Sequence, residues 1–249
     1  MRVPARARRV VSLVPSLTES LAVTDPSCLV GATDWCTHPS GLDVARVRGT
    51  KNPDLDAVLA LRPDLVVANT EENRAPDLDA LRAAGVPVWV TVIETLDEAF
   101  VSLARLLDAC GLGHPPWLAT AERAWAGPAP LPRRPAAVPI WRRPWMVAAA
   151  DTFSSDLLAR LGVGNVFGPG GAPELRYPRT TVDEMRSRGA ELVVLPDEPY
   201  PFSAADGPEA FAGLDVALVS GRHLTWYGPS LAEAREVLAA QLVQRPPRS

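Results

Sequence analysis

Short apolar runs alternate with stretches of helical periodicity along most of the chain. Residues 9–14 (RVVSLV), 64–68 (DLVVA) and 191–195 (ELVVL) are rich in valine and leucine, and each is followed by a polar loop and a segment of different period. Buried parallel strands have such continuous apolar sequences and are connected through helices. The alternation therefore predicts the α/β class with parallel sheets.

The series of strands and helices occurs twice, which predicts two lobes. We expect an N-terminal lobe at residues 9–94 and a C-terminal lobe at residues 136–245. Residues 95–135 are predicted to be a helical linker that ends in a proline-rich connector, because proline disrupts helix interiors. Ligands of parallel sheets bind beyond the carboxyl ends of the strands, so the loops that follow strands, and the cleft between two lobes, are the expected site.

The composition argues against several classes of function. The chain has 249 residues and a formal net charge of −4, whereas nucleic-acid-binding proteins usually have a basic face. No apolar run reaches about 18 residues, so we expect no membrane span. The glycine-rich phosphate-binding motifs and the Gly-x-Ser-x-Gly motif are missing from the sequence, and the chain has three histidines. We therefore expect a protein that is not an enzyme.

The cysteines and the N-terminal residues predict a cytoplasmic location. Three cysteines cannot form a disulfide framework, and so sparse a number is typical of a reducing compartment. The basic residues 1–9 are followed by an apolar run that ends at Pro15, which is too short for the core of a signal peptide. A periplasmic or cell-surface location is the alternative, if the start site is misassigned.

Candidate binding residues follow the predicted strands of the first lobe. Ser16 begins a helix whose N-terminal amides suit an anion, and Glu19 would complete a capping box with it. Trp35 and His38 follow the second strand, where one imidazole would suffice to ligate a metal that a chelate already holds. Glu71 follows the third strand and would bind a cation or a ligand amide. At each position a purely structural role in the loop or helix start is the alternative.

Aromatic and basic residues recur at the strand ends of the second half, although aromatic residues make up only 6% of the chain. Tryptophan beside arginine suits a flat, partly anionic ligand, through stacking and cation–π contact. An ordinary hairpin with one tryptophan in the core is the alternative. The candidate ligand-binding residues of this half are Trp141, Arg142, Tyr177, Arg179, Trp226 and Tyr227.

Three segments carry a resemblance to a known family. Residues 9–20 (RVVSLVPSLTES), 30–34 (VGATD) and 52–67 (NPDLDAVLALRPDLVV) together resemble the iron-chelate and cobalamin substrate-binding proteins of ABC importers. The resemblance implies two Rossmann-like lobes joined by a rigid helix, the class III periplasmic-binding-protein fold, with the ligand in the cleft. The helix that starts at Pro115 would be the connecting helix.

The resemblance also implies a ligand and a partner. Cobalamin or a related corrinoid is the first expected ligand, and a ferric siderophore or haem is the second; no intrinsic cofactor is expected. An ABC permease is the implied partner, and Asp183 and Glu184 match the family's docking acids in the second lobe. We expect a monomer. A protein that handles a metal cofactor without any permease is the alternative, because a fold does not fix a function.

Overall fold

The computed structural model describes residues 6–171 and 175–244. Residues 1–5, which entered the prediction about a leader, and residue 245, the predicted end of the second lobe, lie outside this range. The chain forms two compact units. Unit 1 comprises the residues up to Ile93, Asp97–Thr120 and Tyr227–Pro229, and unit 2 comprises Glu94–Leu96, Ala121–Trp226 and the residues from Ser230 onward.

Unit 1 is built on a sheet of parallel strands. Its elements are β1 (Val10–Ser12), α1 (Pro15–Thr24), β2 (Leu29–Ala32), β3 (Ala45–Arg46), β4 (Arg48–Gly49), β5 (Asn52–Pro53), α2 (Leu55–Ala60), β6 (Leu65–Asn69), α3 (Ala75–Ala83), β7 (Val88–Thr91) and α4 (Leu96–Ala109). The sheet has the order β3-β2-β1-β6-β7, and β4 and β5 form a separate antiparallel pair. The central strand β1 is wholly buried, with Val10 in register with Leu29 and Leu65 on its two neighbours.

Helix α5 (Pro116–Trp125) passes from one unit to the other, since the boundary falls between Thr120 and Ala121. The segment 95–135, predicted as a linker, is thus divided between the units. Most of α4 belongs to unit 1 because its apolar side, with Leu103 and Leu107, is fully buried. No helix of residues 6–171 and 175–244 is long and apolar enough to cross a membrane.

Unit 2 contains a second parallel sheet. Its elements are β8 (Arg134–Ala137), β9 (Pro139–Arg142), β10 (Trp145–Val147), α6 (Phe153–Leu161), β11 (Val163–Asn165), α7 (Val182–Ser187), β12 (Leu192–Pro196), β13 (Asp215–Val219), α8 (Gly221–Thr225) and α9 (Leu231–Val243). The sheet order is β11-β8-β12-β13, and β9 and β10 form an antiparallel hairpin. Val193 and Phe211 lie in the buried apolar core of this unit.

The predicted α/β class with parallel sheets is confirmed, but two local predictions are wrong and one helix was missed. Strand β8 begins at Arg134, inside the predicted proline-rich connector. Proline fits there because its backbone is extended and the Pro135 carbonyl still accepts a hydrogen bond from Glu191 N at 3.0 Å. Helix α8 was not predicted. Ser16 is not a helix cap, because α1 begins one residue earlier, at Pro15, after Val14.

Candidate functional site

The loop that follows β6 in unit 1 is fixed by two asparagines. The Asn69 side-chain oxygen accepts a hydrogen bond from Glu72 N at 2.6 Å, and Asn69 N donates to the Asn73 side-chain oxygen at 2.9 Å. The Asn73 amide in turn donates to the carbonyls of Leu13 and Thr50, at 3.3 and 3.0 Å. Because both asparagines are buried, these bonds replace water and hold the loop in one conformation.

This loop places Glu71 at the carboxyl end of the sheet. Glu71 is exposed, and its carbonyl oxygen accepts a hydrogen bond from the Lys51 ammonium group. Lys51 comes from the turn between β4 and β5, so two chain segments meet here. The Glu71 carboxylate therefore stands at the strand ends on a loop that is anchored on both sides.

Trp35, in the loop after β2, is a large apolar side chain with 67% of its surface accessible. Its indole nitrogen lies beside Gly49, only 3.5 Å from the position that a Cβ atom would take there. The same Cβ atom would lie 2.4 Å from the Asn52 side-chain oxygen, so the hairpin requires glycine at this point. The ring of Trp35 thus lies next to a tight turn and keeps a broad surface open to solvent.

Cys36 and His38, which flank Thr37, have different environments. The Cys36 thiol is buried and lies 3.0 Å from the Thr18 hydroxyl and 3.1 Å from that of Thr33. Burial raises the pKa of this thiol, so it remains protonated and packs as a small side chain. His38 is half-buried, and its Nδ1 atom lies 3.2 Å from the Thr37 hydroxyl. Only His38 of this pair stays accessible to a ligand.

The structure places Tyr227 and Ser16 inside unit 1. The Tyr227 hydroxyl accepts a hydrogen bond from the Asn69 amide at 2.7 Å and lies 3.5 Å from the Thr91 hydroxyl. Burial raises the pKa of this phenol. Gly228 makes the packing possible, because a Cβ atom there would lie 3.0 Å from the Ser16 carbonyl oxygen. Tyr227 therefore supports the loop of Asn69 from within, and the Ser16 side chain is buried as well.

Arg142 in unit 2 forms ion pairs with acidic side chains of the same unit. Its guanidinium forms ion pairs with Asp206 and Glu209 and lies 5.7 Å from the centre of the Trp145 ring. Only 15% of the Arg142 side chain is exposed. The predicted role of Arg142 toward a ligand anion stays a prediction, and such an anion would have to compete with these two carboxylates from a distant segment.

The aromatic residues of unit 2 form a cluster that leaves Trp141 exposed. Trp141 meets Tyr200 edge-on at 5.5 Å between ring centres, and Tyr200 contacts Phe202 at 4.6 Å. Trp145 stacks on Phe202 at 6.0 Å and packs against Phe211 at 5.1 Å. Trp141 retains 42% of its surface in solvent, whereas Trp145 contributes to the core. Of these two tryptophans, Trp141 is the one available for stacking.

Tyr177 and Arg179 lie on the segment that follows the gap at residues 172–174. Tyr177 is half-buried, and Arg179 is exposed and forms an isolated bridge to Met146 of β10. Their neighbour Arg176 is buried and pairs with the Glu94 carboxylate. The sequence did not distinguish Arg176 from Arg179, because both are arginines of one segment and the partner of Arg176 is 82 residues away in the chain. Arg179 is thus the arginine of this segment that faces solvent.

A half-buried acid, Glu198, packs against the first residue of α8. The Glu198 backbone and side chain pack against Gly221, where a Cβ atom would lie 2.3 Å from the Glu198 Cγ atom. Burial, and then the nearby Asp197 charge, raise the pKa of Glu198. Half-buried Trp226 follows α8, with the Arg222 guanidinium 5.9 Å from its ring centre. Glu198 lies two residues after β12, in a segment where acids precede aromatic residues, but nothing in the sequence indicated that its side chain would be partly buried.

The predicted docking acids are at the N-terminus of α7. Asp183 is 93% exposed and pairs with Arg186 at 3.3 Å. Glu184 accepts hydrogen bonds from Arg188 at 2.9 Å and from the Thr180 hydroxyl at 2.8 Å, and these bonds lower its pKa. Glu184 is therefore charged at neutral pH, and both acids are accessible. Among the described residues, no group of three or more His, Cys, Asp or Glu side chains is arranged to hold a metal ion.

Comparison with known proteins gives relatives along the whole chain, although no family model matches. The vitamin B12-binding protein of Pectobacterium carotovorum is 22% identical over 260 residues, covering 98% of this chain and 92% of the relative. That of Vibrio campbellii is 24% identical over 197 residues, covering 75% and 70% of the two chains.

Solved structures share the fold. The periplasmic vitamin B12 binding protein BtuF of Vibrio cholerae superposes with a TM-score of 0.72 at 18% identity, over 95% of this chain and 96% of that one. A periplasmic heme binding protein from Pseudomonas aeruginosa gives a TM-score of 0.73 at 22% identity, over 98% and 95%. The class III periplasmic-binding-protein fold is therefore confirmed.

These findings correct the predicted location. The prediction of a cytoplasmic protein is wrong, because the solved structures of this fold are titled periplasmic binding proteins. The three cysteines are buried and free, so they pack as apolar side chains and their number said nothing about the compartment. The relatives are named as binding proteins, in agreement with the prediction that the chain is not an enzyme. The chain is thus similar along its length to vitamin B12-binding proteins and shares the fold of periplasmic binding proteins.

Proposed function

We propose that this protein binds a metal chelate, cobalamin or a related corrinoid, as the substrate-binding component of an ABC transporter. The observation that carries the proposal is the exposure of Trp35, on the loop after β2, and of Trp141, near the end of β9. A large exposed indole is costly to hydrate and gains when a flat apolar ring covers it. The curated relatives named vitamin B12-binding proteins support a corrin as that ring.

Exposed polar groups on the other strand-end loops suit the periphery of a corrinoid. Such a ligand carries amide side chains and a phosphate. The exposed Glu71 carboxylate accepts hydrogen bonds from amides, and the exposed Arg179 guanidinium pairs with a phosphate. His38 is the candidate for a direct bond to the metal, and half-buried Tyr177 and Trp226 add apolar surface. Arg142 is assigned to the protein's own stability, since Asp206 and Glu209 neutralise it.

Asp183 and Glu184 are the proposed contacts to an ABC permease. Both carboxylates are charged and accessible at the start of α7, as a surface that meets a basic partner requires. Asp77 on α3, the nearest equivalent in unit 1, is largely covered and lies 3.4 Å from Arg74. The docking proposal therefore concerns the acids of unit 2.

Haem or a ferric siderophore is the second ligand class. The observation that favours haem is the combination of an accessible imidazole, His38, with an exposed arginine, Arg179, since haem offers an iron centre and two carboxylates. The structures of the same fold titled heme-binding proteins agree with this alternative.

The test is a visible-absorption titration of the purified protein with cyanocobalamin, hydroxocobalamin, haemin and a ferric siderophore. We expect saturable binding of the cobalamins. We expect His38→Ala to remove the spectral shift that hydroxocobalamin shows on ligation, with little change in cyanocobalamin affinity. Saturable binding of haemin or the siderophore alone would move the assignment to that ligand. A protein that binds none of the four would contradict the proposal.

A further inference from the structure

The loop between β2 and β3 is followed by an arginine, Arg46, whose side chain bonds back to the loop. The loop spans residues 33–44 and carries Trp35 and His38, two of the proposed ligand contacts. Arg46 is the second residue of β3 and lies in register with Ala32, the last residue of β2. Its side chain therefore starts beside the point where the loop leaves the sheet.

The guanidinium of Arg46 joins the beginning of this loop to its end. Nη1 donates to the carbonyl oxygens of Thr33 and Cys36, both at 2.9 Å, and Nη2 donates to that of Leu42 at 3.1 Å. A guanidinium holds its donors in one rigid plane, and hydrogen bonds from a charged donor are stronger than those between neutral groups. One side chain thus fixes the loop at three points.

Cys36 is held from two directions. Its thiol is buried against two threonine hydroxyls, and its carbonyl oxygen accepts the hydrogen bond from Arg46. Trp35 directly precedes this residue, and His38 follows it by two positions. Because both the side chain and the backbone of Cys36 are anchored, the directions in which Trp35 and His38 leave the loop are restricted as well.

The charge of Arg46 is used for this loop. Within residues 6–171 and 175–244, Arg46 bonds to the three carbonyl oxygens and forms no ion pair with a carboxylate, unlike Arg142. Arg46 is also an exposed residue, so removal of its guanidinium leaves no cavity in the core. Its loss should therefore change the order of the loop rather than the stability of the whole unit.

We propose that Arg46 is a positioning residue of the ligand site. By bonding to three carbonyl oxygens it holds the loop in the conformation in which Trp35 and His38 meet the chelate, and it acts through these side chains rather than by its own contact with the ligand. The effect on affinity rests on the proposed binding function, whereas the order of the loop is a property of the ligand-free protein. The two parts can therefore be tested separately.

Amide hydrogen exchange of the ligand-free protein tests the order of the loop. The amides of Asp34, Cys36 and Thr37 donate hydrogen bonds within the protein. In Arg46→Met we expect them to exchange at least about tenfold faster, with a melting temperature lowered by no more than about 4 °C. Arg46→Lys keeps the charge on a single nitrogen, so exchange should remain faster than in the wild type. Arg8→Met, at an exposed arginine before β1, is the control. Unchanged exchange in Arg46→Met, or full protection in Arg46→Lys, would overturn the proposal.

A double-mutant cycle with cyanocobalamin tests the link to the ligand. We expect Arg46→Met to raise the Kd about tenfold, and the combination with Trp35→Ala to lose no more than the weaker-binding single variant, because both changes act through one side chain. Arg46→Met should also diminish the spectral shift of hydroxocobalamin that depends on His38. Additive losses, about a hundredfold together, would contradict a positioning role. A wild-type protein that binds no cobalamin would refute the proposed function instead, and hydrogen exchange would then decide the role of Arg46.

Discussion

The strand-end loops of the two units are organised by different interactions. In unit 1, buried asparagine side chains hold the backbone of the loop after β6, and the charged side chain of Glu71 faces solvent. In unit 2, charged side chains are used internally, as Arg142 with Asp206 and Glu209. The comparison teaches that a charged residue at a strand end can serve the packing of its own unit, so its position in the sequence alone does not mark a ligand contact.

The largest expected loss of stability comes from a change in the buried asparagine network of unit 1. Asn69→Ala removes the acceptor for Glu72 N and the donor to the Tyr227 hydroxyl, and so leaves buried polar groups unsatisfied. We expect a loss of about 3 kcal/mol in the free energy of unfolding, measured by urea denaturation. Affinity for the chelate should fall as the loop of Glu71 loosens. Thr70→Ala, at the exposed neighbouring residue, is the control. Equal stability of both variants would show that the network does not hold the loop.

The second unit's organisation predicts an effect on stability rather than affinity. Arg142→Met leaves Asp206 and Glu209 without their cation, and both carboxylates are partly exposed, so the loss should be about 1 kcal/mol. Arg143→Met, at its exposed neighbour, is the control. A large loss of chelate affinity in Arg142→Met, with stability unchanged, would instead show that Arg142 contacts the ligand.

The pH dependence of that loss sharpens the comparison. Burial tends to raise the pKa of Glu209, but hydrogen bonds from its own backbone N–H and that of Gly207, together with Arg142, lower it overall. A lowered pKa in the folded state adds stability above the unfolded value, about 4.3, which is lost as the pH falls through the folded value. The difference in unfolding free energy between wild type and Arg142→Met should therefore be constant at pH 5–8 and shrink below about pH 4. A difference that grows toward low pH would be contrary to this assignment.

The smallest change in stability and chelate affinity is expected for Asp183 on α7, which lies outside both sets of strand-end loops. Asp183→Asn changes a side chain that is almost fully exposed, so stability should stay within about 0.5 kcal/mol of the wild type and chelate affinity should not change. Transport by a reconstituted permease is the readout that should fall. A change in affinity instead would mean that this acid touches the ligand.

The sequence predicted the sheets well because their signal is local. Runs such as residues 64–68 and 191–195 became β6 and β12 with shifts of one residue. The start of β8 could not be predicted in the same way, since prolines before Ala136 fit an extended connector as well as a strand. The helix α8 is only five residues long, too short for a periodic pattern.

The site was harder to predict because its side chains pair over long separations in sequence. Arg142 and Glu209 are 67 residues apart, and no residue near Arg142 in the sequence indicates which acids it pairs with. Trp226 and Tyr227 are neighbours, yet Tyr227 belongs to unit 1 and is buried, whereas Trp226 belongs to unit 2. Local spacing identified the loops correctly as strand ends but could not show which way each side chain faces.

The central claim is that exposed tryptophans at the strand ends bind a flat chelate. The most direct measurement is the dissociation constant of cyanocobalamin for Trp35→Ala and Trp141→Ala, with Val23→Ala as the exposed control on α1. We predict a loss of at least tenfold, about 1.4 kcal/mol, for each tryptophan variant and no change for the control. Wild-type affinity in both tryptophan variants would contradict the account.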